Sequence, residues 1–245
     1  MTDRPVLGQP TSPGQGPAPP EPRWGLGDAA IGLAAGFMIS LFLGGIYVAA
    51  TGEDEVSLGL TVVTLIGQWI GLLGSVVLAS QRKGTGNLRH DLGLQVERRD
   101  IGIGVLAGVL CQLVLVPLLY LPFDLLGFDF DVSEEARDVL DRASGPGLAL
   151  LAVCIVIGAP IAEELFFRGL LLRAADRRFG PGPAVAISAV VFGLTHFQPL
   201  QLLGLVAFGV VLALLVRRAT GRLGPALVAH VAFNATTVAL LVATR

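Results

Sequence analysis

Seven apolar runs occupy most of this chain, at about 29–50, 58–80, 101–121, 147–172, 183–199, 200–216 and 224–243. A bilayer core of about 30 Å needs about 20 apolar residues per crossing helix. No stretch alternates with period two over barrel-length strands, so helices are the only spanning element the sequence supports. Hydrophobic residues make up 53% of the 245 and charged ones only 15%, against about a quarter charged in soluble proteins. The expectation is an all-α, polytopic transmembrane helical bundle of about seven spans, with six to eight as the range. The fifth and sixth runs are short, and Phe197-Gln198-Pro199 between them reads as a tight turn or a re-entrant feature.

The ends and loops organise these runs. Prolines at 5, 10, 13, 17, 19, 20 and 22 prevent helix formation, so 1–24 reads as a disordered cytoplasmic tail. It lacks the basic stretch and apolar run of a cleavable signal, so the first span is expected to stay as an anchor. Residues 25–146 form an N-terminal three-span membrane region, and 147–245 a second membrane unit that carries the polar residues discussed below. With the N-terminus inside, 14 of the 17 basic residues fall in inner segments and three in outer ones. That asymmetry orients the bundle N-in, C-out. The loop 122–146 is acidic and reads as a short amphipathic helix from Ser133, its N-cap, through Arg142, acting as an interfacial lid or connector. Gly44, Gly45, Gly71, Gly102, Gly104 and Gly108 permit close helix approach.

Composition excludes several function classes. There is no basic stripe for nucleic acid. Cys111 and Cys154 lie in apolar runs with no CxxC or Cys/His spacing, which argues against disulfides and thiolate metal sites. One lysine against sixteen arginines suggests a GC-rich bacterial genome, and hence the bacterial cytoplasmic membrane.

Against this background Glu163-Glu164-Leu165-Phe166-Phe167-Arg168 stands out. A charge near mid-bilayer costs roughly 2.5–3.5 kcal/mol on insertion scales, so these three need partners. Downstream lie Phe192-xxx-His196 and His230-xxx-Asn234. The breaker Phe179-Gly180-Pro181-Gly182 lies midway between Glu163 and His196, so an antiparallel hairpin brings the two to matching depth. Glu164 and Arg168, four apart, suit an intrahelical ion pair, with Arg168 snorkelling to the inner interface. Glu163 is rotated about 100° from Glu164 and is left for another task. Phe192 can pack beside the imidazole of His196. His90, in a basic loop, reads as a solvated bystander.

A carboxylate beside imidazoles in a water-poor cavity has the parts for hydrolysis. Glu163 takes a proton from water, His196 positions that water, and His230 with Asn234 stabilises an oxyanion. Alternatively Glu163, His196 and His230 form a His₂Glu zinc set with an open fourth position. The residues permit both.

The three motifs, in this order, resemble the CPBP (CAAX protease and bacteriocin-processing, or Abi) intramembrane proteases, which include the type II CAAX prenyl endopeptidases. The resemblance covers about 149–241. It implies a CAAX-type intramembrane endopeptidase acting on a membrane-associated or lipidated protein or peptide, with cleavage near the cytoplasmic side. It makes Glu163 the general base, His196 its partner on the catalytic water, and His230 and Asn234 the oxyanion pair. Glu164, Arg168 and Phe192 are supporting residues. Members were first classed as metalloendopeptidases; the later glutamate-dependent reading needs no metal and suits Asn234, a poor zinc ligand. Two other classes compete: a non-proteolytic scaffold or immunity protein of the same fold, and a proton-coupled transporter. The transporter would need related broken helices in both halves, whereas the polar residues here lie in the C-terminal half only.

Overall fold

The computed structural model of the protein describes residues 22–53, 57–128, 131 and 133–244. The expected tail, save its last three residues, lies outside them. Nine helices and no strand occur among the described residues: α1 (Leu26–Thr51), α2 (Leu58–Lys83), α3 (Leu88–Asp91), α4 (Arg98–Leu125), α5 (Glu134–Asp141), α6 (Gly145–Phe179), α7 (Pro181–Leu194), α8 (Leu202–Arg218) and α9 (Gly224–Ala243). The protein is thus an all-α membrane bundle. Five helices (α1, α2, α4, α6 and α9) are long and apolar enough to cross a bilayer. α7 is apolar but has only 14 residues, and α8 has 17. At 1.5 Å per residue α7 runs about 21 Å, short of a full crossing. The expected fifth and sixth runs therefore form a helical hairpin joined by a turn through residues 195–201. Phe197 there takes a left-handed φ of 54°.

Proline shapes the long helices. The ring at Pro117 or Pro160 offers no N–H and collides with the carbonyl four residues back. Just before each, at Cys111–Leu115 and Cys154–Gly158, the helix widens to i→i+5 hydrogen bonding. A third wide segment, Glu164–Leu171, carries the charged motif itself. Wide turns of this kind concentrate at functional sites, because they re-aim side chains without ending the helix.

Two close approaches hold the bundle. On α2 a Cβ added at Gly71 would lie 2.3 Å from the Gly36 nitrogen of α1; on α4 one at Gly108 would lie 2.2 Å from the Ala229 carbonyl of α9. Gly104 meets Val228 and Gly44 meets Thr64 in the same way, whereas Gly45 and Gly102 face open space and belong to no such contact. The α4–α9 contact matters most, since α9 carries His230 and Asn234.

The two ends of the bundle differ chemically. At one end Lys83 pairs with Asp28, Arg217 with Asp176, and Arg222 with Asp100 and Glu97. Arg173 donates to the carbonyls of Leu92 and Gly221, and Arg177 to that of Trp24. These contacts tie the start of α1, the end of α2 and the start of α9 to the ends of α6 and α8. At the opposite end α5 lies across the bundle. Its Leu140 packs with Leu151 of α6 and Leu241 of α9, with Leu58 of α2 beside them. Glu134, Arg137, Asp138 and Asp141 face outward. The lid or connector expected in this loop is thus a helix packed on the bundle. Ser133, however, makes no side-chain cap. Just ahead of the helix, Asp131 accepts from the Ser133 N–H at 2.9 Å and from Arg137 at 2.7 Å.

Candidate active site

Four elements bring the polar residues of the second half together. On α6, Glu163 closes an ordinary helical stretch and Glu164 opens the wide one. The two side chains diverge: Glu163 lines a cavity, and Glu164 is buried behind it with 1% of its side chain exposed. Glu164 Oε1 accepts from Arg168 Nη1 at 2.9 Å, the expected ion pair. Arg168 does not snorkel. It is fully buried, donates to the Gly209 carbonyl at 3.3 Å, and lies under the Phe192 ring with 4.4 Å from guanidinium to centroid. A carboxylate, a carbonyl and an aromatic face together replace the water that snorkelling would have supplied.

His196 sits just past the end of α7, where the last carbonyls of a helix lack partners. Its Nδ1 lies 2.7 Å from the Phe192 carbonyl. A carbonyl only accepts, so Nδ1 carries the proton and a neutral ring presents a bare Nε2. That Nε2 lies 4.0 Å from Glu163 Oε2. The Phe192 ring meets the imidazole edge-on, centroids 4.7 Å apart, so one residue fixes His196 with both backbone and side chain.

His230, on α9, is aimed by Glu164: its Nδ1 lies 2.8 Å from Oε1. Its Nε2 stands 3.7 Å from Glu163 Oε2. Phe192 and Phe208 meet the ring edge-on, at 5.7 and 5.4 Å between centroids. Glu163 Oε2, buried and without a hydrogen-bond partner among the described residues, therefore faces two imidazole nitrogens. One turn on, Asn234 donates Nδ2 to the Ile155 carbonyl at 2.8 Å. Ile155 belongs to the wide turn before Pro160, so the proline on α6 also sets the carboxamide of α9.

Glu163, His196, His230, Asn234 and Phe192 line one cavity of about 320 Å³. Glu164 and Arg168 stand outside it as supports. His90 is remote, half exposed, with Nδ1 3.3 Å from Asp91 Oδ1. Sequence reasoning missed two features. One is the grip of Glu164 on His230; a second acid beside Glu163 was a visible signal, but its partner lay 66 residues away. The other is Phe208, which has no local signature among the apolar residues of α8.

A tetrahedral zinc about 2.1 Å from each donor would hold its ligands roughly 3.4 Å apart. Glu163 Oε2 lies 3.7 and 4.0 Å from the two imidazole nitrogens. Among the described residues no group of three His, Cys, Asp or Glu side chains has the arrangement to hold a metal ion.

Residues 145–236 match the family of Rce1-like proteins, described as Type II CAAX prenyl endopeptidase Rce1-like. The match begins with α6 and ends just after Asn234, so it spans every residue of the cavity floor. No curated protein and no solved structure matches the chain.

Proposed function

We propose that this membrane protein, with its Rce1-like domain at residues 145–236, is an intramembrane endopeptidase that activates water with Glu163. The observation that carries this reading is the lone Glu163 oxygen held opposite two aromatic-clamped imidazoles at the bottom of a mostly apolar cavity. A water about 2.8 Å from both Glu163 Oε2 and His196 Nε2 would subtend roughly 90° between them, near its own H–O–H angle. It donates a proton to each acceptor and keeps its lone pairs for the scissile carbonyl. As the oxygen–carbon bond forms, Glu163 takes the proton; it then passes that proton to the leaving nitrogen as the C–N bond breaks, giving a carboxylic acid and an amine. The intermediate oxyanion is met by Asn234, which uses one amide N–H on Ile155 and has a second to offer. His230 gives its Nδ1–H to Glu164, so it joins in oxyanion stabilisation as imidazolium, through Nε2–H. In that form Glu163, Glu164, Arg168 and His230 sum to zero charge, which suits a buried cluster.

The substrate is a membrane-associated or lipidated protein or peptide, and the bundle sits with its N-terminus in the cytoplasm of a bacterial cell. The test is cleavage of a membrane-peptide library by purified protein, with and without chelator. Glu163→Gln abolishes turnover and chelator leaves the wild-type rate unchanged; chelator-sensitive cleavage restored by zinc would overturn the metal-free mechanism. A scaffold or immunity role predicts instead that the cellular phenotype survives Glu163→Ala and, separately, His196→Ala in stably inserted protein.

A further inference from the structure

We infer that substrate reaches Glu163 from the end of the bundle opposite the basic end, beneath α5, and is an apolar segment of a membrane-inserted or exported chain. This rests on the peptidase reading above. It reverses the side expected from sequence, where cleavage near the cytoplasmic face was the premise.

The cavity has a direction. Glu163, His196 and His230 form its floor, and it extends past Ile155 and Leu151, along α6 toward that helix's start. Thr61 from the opening of α2, Leu241 from the close of α9, and Ala136 and Val139 of α5 complete its far side. All of these lie toward the end where α1 finishes and α2 begins. On the other side of the floor the bundle is sealed. Phe166, Arg168, Leu170 and Leu212 are fully buried there, behind Phe192 and Phe208 of the cavity wall, and interiors packed to that degree leave no passage for a peptide. The arginines and Lys83 gather beyond this plug. Under the positive-inside rule that end is cytoplasmic, so the open route from the site leads to the outer leaflet.

The lining states what can occupy it. It is mainly apolar, with neutral polar groups at Thr61, Gln198, Gln201 and Thr237 and no lysine or arginine. A free chain terminus would bring a carboxylate toward Glu163 with no fixed cation to receive it. An internal apolar segment needs only burial for its side chains and hydrogen bonds for its backbone. α5 is the element such a segment must displace or slide beneath, since Ala136 and Val139 close the cavity and its charged residues face outward.

Cysteine accessibility in sealed membranes tests the route. Cys111 and Cys154 are buried, so the unaltered chain is the blank. Thr237→Cys and, as a second position, Ala136→Cys report the cavity; Arg218→Cys, at the exposed end of α8, reports the basic end. A membrane-impermeant maleimide should modify the cavity positions only from the side opposite the one that modifies Arg218→Cys. Modification from the same side as Arg218→Cys overturns the proposal, and so does modification by a lipid-soluble maleimide alone, which would mean lateral entry. The readout needs no turnover: a chain that labels as expected yet cleaves nothing keeps the route and loses the peptidase.

Discussion

At the scale of single residues the site is a set of orientations, each enforced by an identifiable partner. Glu164 aims His230, the Phe192 carbonyl aims His196, and Ile155 aims Asn234. Glu164 touches no part of the cavity, so it acts through His230 as a positioning residue. Glu164→Gln should lower kcat about 10- to 100-fold with KM little changed, the pattern of a group acting only in the transition state. Steady-state kinetics on one peptide checks this; an unchanged kcat would remove Glu164 from the mechanism. Arg168 belongs to the same chain of partners with a different cost. Arg168→Met leaves the buried cluster of Glu163, Glu164 and His230 with one uncompensated negative charge, a loss of about 3–5 kcal/mol in comparable buried pairs. The expected result is a lowered Tm in detergent before any change in peptide affinity.

At the scale of elements, the catalytic geometry depends on how closely α4 lies against α9. Gly108 meets the Ala229 carbonyl, next to His230 in sequence. Gly108→Val should push the helices apart at an overpacking cost of about 1–3 kcal/mol. Activity should fall further than stability, because His230, next to Ala229, must hold its Nε2 beside Glu163 Oε2, 3.7 Å away, to meet the oxyanion. Gly102→Ala is the control, since nothing lies within 4 Å of an added Cβ there. Equal effects of the two changes on turnover would show that the α4–α9 approach does not set the site. The wide turns act at this scale too. Two of the three precede prolines, and the residues themselves announce them; the third, through Glu164–Leu171, has no proline. Within it, Glu164 and Arg168 hold each other, His230 and the Gly209 carbonyl.

At the scale of the whole molecule, the basic end works as a clasp. Asp91 illustrates it: burial raises its pKa, but hydrogen bonds from the Ser80 hydroxyl and from the Thr85 hydroxyl and amide outweigh this and hold it below the ordinary 3.8. A depressed native pKa means stability present above the unfolded value and lost as pH falls through the native one. The acid limb of the stability profile should therefore decline below about pH 4, and Asp91→Asn should flatten it while lowering Tm at neutral pH. Thermal melts across pH in detergent measure both; an Asp91→Asn profile parallel to wild type would place the acid sensitivity elsewhere.

The sequence by itself determined that the chain is a membrane-embedded helical bundle, because apolar length and the cost of unpaired backbone in lipid leave no other element. It also determined the short list of polar residues worth attention, since charge in an apolar run is costly wherever it folds. The proximity of Glu163 and His196 was legible as well, because one hairpin turn fixes their relative depth. Only the tertiary structure decided that Glu164 holds His230, that Arg168 stays buried under Phe192, and that α7 and α8 pair as short rods. It alone gave the cavity a direction, sealed on the side of the arginines and covered by α5 on the other. These depend on contacts between helices far apart in the chain, and periodicity along one helix carries no information about which neighbour its polar face will meet.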